Sequence, residues 1–116
     1  MDTNLLFFIG IAWLATHELD AILHHEWRIF FFLKPFDDVT AYRIFTAAHI
    51  PLFAMIIWFA PVRTFQIGFD LFLIIHVGLH WLCRNLPTYK FNNWFSNMLI
   101  IGAGVVGAIH LALLLL

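Results

Sequence analysis

Residues 5–33 read LLFFIGIAWLATHELDAILHHEWRIFFFL, wholly apolar from Leu5 to Ala15 and then studded with ionisable groups. At 100° per residue, His17, Asp20, Ala21, His24 and Arg28 fall within about 80° of arc, and Gly10 and Trp13 extend that face. Glu18 and His25 form a second strip on its shoulder, while Glu26 points away. A continuous ionisable stripe cannot face lipid, so the spacing predicts a helix that turns this face into the interior of a bundle. About 29 residues at 1.5 Å each span roughly 43 Å, more than the roughly 30 Å hydrocarbon layer. The helix is therefore expected to tilt, kink or project from the membrane, with His24–Arg28 among headgroups and Trp27 as an interfacial anchor.

Composition supports a membrane setting. The chain has 116 residues, 63% of them hydrophobic, with 14 Phe and 5 Trp, and only 11% are charged. This reads as one integral membrane domain over residues 1–116, with membrane lipid as its main partner. A net charge of −1 excludes a nucleic-acid partner, which needs a basic face. The single cysteine, Cys83, excludes an intrachain disulfide and a thiolate metal cluster. Asp2 is acidic and no small-x-small site precedes Glu18, so the start of the chain reads as a retained span and not a leader.

Three further spans follow, over about 41–60, 65–85 and 93–116, separated by Lys34-Pro35, Pro61 and Leu86-Pro87. Asp37, Asp38 or Thr40 can cap the second and Asn92-Asn93 the fourth, and Pro51 is expected to kink the second. Small residues from Gly102 to Ala108 allow close helix approach. Short loops imply an all-α, up-down-up-down four-helix bundle. Arg28, Lys34, Arg43, Arg84 and Lys90 lie at one end and Arg63 at the other, which puts both termini outside by the positive-inside rule.

Helix 3 carries His76 and His80 one turn apart, helix 2 carries His49 and helix 4 carries His110. Counted from the cytoplasmic ends, His24, His49 and His76 lie roughly 13–15 Å deep, with His80 at about 7 Å and Asp20 at about 21 Å. His17, Asp70 and His110 lie at roughly 21–27 Å. Imidazole and carboxylate without thiolate is the ligand set of zinc or non-haem iron, in a mononuclear or dinuclear centre. His24, His49 and His76 come first as ligands, then Asp20, His80 and His17, and His110 last. Glu18 is a candidate proton carrier, and Arg28 a candidate anchor for an anionic head group or an Asp. Such a centre would hydrolyse or oxidise a lipid-soluble substrate arriving sideways from the bilayer. A chain this small leaves little room for a pocket, so a homodimer or partner membrane subunit is expected to complete it.

Two other readings use the same residues. One is a b-type haem between His49 and His76. The other is a non-enzymatic accessory subunit, or a proton or metal-ion conduit along His80, His24, Asp20, His17 and His110.

The motifs Thr16-His17-Glu18-Leu19-Asp20-Ala21, His24-His25-Glu26-Trp27-Arg28, His49-Ile50-Pro51-Leu52-Phe53 and His76-Val77-Gly78-Leu79-His80-Trp81 resemble a family of small, uncharacterised four-helix bacterial membrane proteins over most of the chain. More loosely, the first motif is similar to membrane proteins with a His-x-x-Glu-Glu signature, although here Asp20 is followed by Ala21 where that signature has a second acid. The resemblance implies a four-span bundle in a bacterial inner membrane and no particular activity.

Overall fold

Hydrocarbon offers no partner to a backbone N–H or C=O, so each spanning segment must satisfy its own. The computed structural model, which describes residues 3–116, does this with α1 (Thr3–Leu23), α2 (Asp38–Phe59), α3 (Arg63–Cys83) and α4 (Trp94–Leu115). Met1 and Asp2, part of the expected retained start, lie outside the described residues. The helices have 21 or 22 residues and mean hydropathies of 1.4 to 2.4. At 1.5 Å per residue each is about 32 Å long, enough to cross a membrane. Among the described residues there is no strand, and the fold is the expected all-α four-helix bundle.

The first helix ends at Leu23, well short of Leu33. His25 adopts the left-handed conformation, φ 52° and ψ 50°, and is the only non-glycine residue with positive φ among those described. That one residue reverses the chain into two short 3-10 turns, Glu26–Arg28 and Phe31–Leu33. Trp27 is thereby buried in the protein, where its Nε1 donates to Asp38 Oδ1 at 2.8 Å. Arg28 donates to the Phe36 and Leu33 carbonyls and pairs with Asp38 at 3.3 Å. So the segment expected to project from the membrane folds back under the bundle, and Trp27 is not a surface anchor. Trp58, Trp81 and Trp94, near helix ends, are the exposed tryptophans.

Side-chain caps start α2 and α4 where the sequence suggested. Asp37 accepts from Thr40 N at 3.2 Å, and Asn93 Oδ1 accepts from Ser96 N at 2.8 Å. The bonds from Thr40 also hold the exposed Asp37 carboxyl below its usual range. α2 is assigned as a single helix through Pro51.

α4 is the central helix, packed against both α1 and α3. Its glycines permit this: a Cβ at Gly107 would lie 3.1 Å from both the Asp70 carbonyl oxygen and Leu73 Cβ. A Cβ at Gly104 would strike Val77, and one at Gly102 would strike Trp13. α2 is held differently, chiefly through the Glu26–Arg28 turn, and of its residues only Ala41, Phe45 and Ile56 are buried. It leaves an apolar cavity of about 340 Å³ bordered by α2, α3 and the 3-10 segment, room that the length of the chain did not lead one to expect.

Two predictions follow from this geometry, both read by thermal unfolding in detergent. Gly107→Val forces side chains against the α3 backbone and should cost about 1–3 kcal/mol, whereas Gly78→Ala, with open space around it, should be neutral or stabilising. His25→Val should be less stable than His25→Gly by about 1–2 kcal/mol, because a β-branched residue resists the left-handed turn.

Candidate metal centre

α3 presents His76 and His80 on one face, one turn apart, with their Nε2 atoms 3.1 Å from each other. His17 of α1 meets both, at ring-centroid distances of 4.8 and 5.1 Å. The reversal at His25 delivers the fourth member: Glu26 Oε2 lies 3.2 Å from His17 Nε2 and 3.9 Å from His80 Nε2. All four residues are buried, and one ligand atom from each falls within 4.8 Å of every other. The edge of a tetrahedron built on metal–nitrogen bonds of roughly 2.0–2.1 Å is about 3.3–3.4 Å. The set is therefore close to the size that a single ion needs, and it could hold one.

The hydrogen bonding of the cluster is incomplete in an informative way. Despite their 3.2 Å separation, His17 Nε2 and Glu26 Oε2 are not aligned as donor and acceptor, and both are buried without a hydrogen bond. His17 Nδ1 and His76 Nδ1 are also buried without one. Each such group costs about 1–3 kcal/mol if nothing compensates it. His76 Nε2 and His80 Nε2 do share a hydrogen bond at 3.1 Å, but the polar atoms left without a partner around them are what a cation site requires.

Surrounding residues suit that role. His80 Nδ1 lies 3.0 Å from Tyr89 Oη; a proton there, donated to the hydroxyl, leaves the Nε2 lone pair facing the cluster. Burial raises the Tyr89 phenol to about 12, so it remains a neutral partner at ordinary pH. Burial would also raise Glu26, but the imidazoles of His17, His80 and His76 outweigh it and hold its carboxyl below the usual range. Glu26 is thus an anionic donor. Phe91, fully buried, covers the cluster at 4.9 Å from His80 and 5.7 Å from His17.

The other polar residues form separate contacts. Asp20 accepts from Ser96 Oγ at 2.6 Å and lies 3.2 Å from His24 Nδ1, which donates to the Asp20 carbonyl at 2.8 Å. His49 Nδ1 donates to the Phe45 carbonyl at 2.7 Å, and its Nε2 lies 2.7 Å from Glu18 Oε2. His110 Nδ1 donates to Asp70 Oδ2 at 2.6 Å, deeply buried beside Phe7. Arg28 is taken up by Asp38 and loop carbonyls. Of the residues expected to converge, the structure brings together His17, His76 and His80, adds Glu26, and places His24, His49, Asp20 and His110 in pairs of their own.

Glu26, Tyr89 and Phe91 were not singled out from sequence. A helix continued to Leu33 points Glu26 outward, and only the left-handed turn brings it in. Tyr89 and Phe91 carry a faint signal, as both are buried on either side of exposed Lys90 in the alternation of an extended segment.

Neither the curated proteins nor the solved structures contain a match to this chain. A family model matches residues 3–116, nearly the whole chain, and on that match the chain belongs to DUF6713, a family of unknown function.

Proposed function

We propose that this protein is an integral membrane metalloprotein in which His17, Glu26, His76 and His80 bind one zinc or ferrous ion that acts on a lipid-soluble substrate. The observation that carries this reading is the convergence of four buried donors, two of them 3.2 Å apart without a hydrogen bond. Three imidazoles and a carboxylate suit zinc or non-haem iron, and four donors around one point suit one ion better than two. The alternative, a haem between His49 and His76, is less favoured because both ring nitrogens of His49 are already engaged, one by the Phe45 carbonyl and the other by Glu18.

The enzymatic part of the reading rests on the cavity. Glu26, His76 and His80 are among its lining, so an ion there is reached from the cavity, as a catalytic metal must be. Such an ion supplies Lewis acidity for hydrolysis, or redox chemistry if it is iron. Glu18 and His49, bonded to each other, provide the polar groups of another wall. We place both termini outside, on the strength of the basic residues gathered around the α1–α2 and α3–α4 connections, and the resemblance of the motifs supports a bacterial inner membrane.

Elemental analysis after purification without added metal should find about one zinc or iron per chain. His76→Ala and Glu26→Gln should abolish it, His24→Ala and His110→Ala should retain it, and Tyr89→Phe should weaken affinity by about 10–100-fold. Equal metal in wild type and His76→Ala overturns the assignment. Affinity should also fall in acid, where protons compete with the metal for its donors, and should return on neutralisation; competition with a chelator across pH measures it.

A further inference from the structure

We infer that the cavity between α2, α3 and the 3-10 segment binds a single-chain monocarboxylate, its head on the ion held by His17, Glu26, His76 and His80; the inference rests on the metal reading above. The cavity is lined mostly by hydrocarbon, with a few polar side chains among it. Its volume of about 340 Å³ lies at the small end of the range for small-molecule pockets, too little for a two-chain phospholipid. Phe30, Phe45 and Leu52 are among its apolar walls, and its polar residues are Glu18, Glu26, His49, His76, His80 and Tyr89. A long, thin amphiphile matches that division.

The mouth points to the bilayer. Phe32, Ile44, Phe72 and Leu79 line the cavity yet are 40–58% exposed, so they belong to its outer edge. Ile44, Phe72 and Leu79 lie on spanning helices, where exposed side chains face acyl chains. A hydrocarbon tail can therefore slip between α2 and α3 from the membrane without crossing water.

Charge selects the head group. A divalent ion held by three neutral imidazoles and one carboxylate leaves a net charge of +1, which is costly to bury unpaired. Glu18 is already engaged by His49. A monocarboxylate balances the site and is an ordinary ligand for zinc or iron. A phosphate dianion overshoots it and finds no support, because no Lys or Arg lines the cavity and Arg28 is committed to Asp38 and backbone carbonyls. A neutral alcohol leaves the charge unbalanced.

The test uses the full chain in non-ionic detergent, loaded with paramagnetic cobalt(II), metal content being measured first. Laurate labelled at its carboxyl carbon is followed by NMR. Cobalt-loaded protein should broaden the carboxyl signal more than the terminal methyl, and zinc-loaded protein should not. Ala48→Trp, on the exposed face of α2 at the cavity wall, should keep its cobalt and lose at least about tenfold in laurate affinity. Leu79→Trp is the parallel variant on α3 should the first fail to fold. An unaffected laurate signal on protein carrying one cobalt overturns the inference and leaves the metal centre standing, whereas failure to take up cobalt overturns both. Equal binding of dodecyl phosphate or dodecanol overturns the head-group assignment, and unchanged affinity in both tryptophan variants overturns the location.

Discussion

An ionisable side chain placed in hydrocarbon has only other protein groups to pair with, and most of this structure follows from that requirement. Several polar residues of α1 and α3 are matched across helix boundaries: Glu18 with His49 of α2, Asp20 with Ser96 of α4, Asp70 with His110 of α4. Apolar surface cannot drive such helices together in lipid, so close backbone packing at Gly104 and Gly107 and these polar ties do so instead. The group His17, Glu26, His76 and His80 differs from the rest. Its members are equally buried, but their hydrogen bonding among themselves is left unfinished.

That difference originates in a few residues of backbone. Left-handed geometry at a histidine is unfavourable, and it persists here because Trp27 and Arg28 are fastened to Asp38 at the start of α2. The fastening does two jobs. It turns a glutamate that would face outward into the bundle, and it tethers the one helix that hardly packs on the others. Strain at the end of α1 and the position of α2 are thus parts of one arrangement, and the cavity beside the cluster is its result.

A loosely attached α2 trades packing for access. α4 packs closely on both α1 and α3, whereas the α2–α3 side stays open toward the bilayer next to the buried donors. A site that receives a hydrophobic molecule needs an approach of this kind, and a tightly packed four-helix core would not provide one.

How much of this was readable beforehand is clearest along α1. Hydrophobic runs, proline breaks and Asn or Asp caps determine four spans, because a membrane tolerates only self-satisfied helices of about that length. The residue types likewise determine that any centre would be built from imidazole and carboxylate. Which of them meet was decided by where α1 stops. Depth counted from Leu33 places His17 far from His80; counted from Leu23, His17 is only about 9 Å along the helix from its end, near the level of His76 and His80. The left-handed residue at His25 and the inward turn of Glu26 leave no periodic trace, and the fold-back of Tyr89 and Phe91 leaves only a faint one. They are set by contacts between segments distant in sequence, and such contacts exist only once the chain has packed.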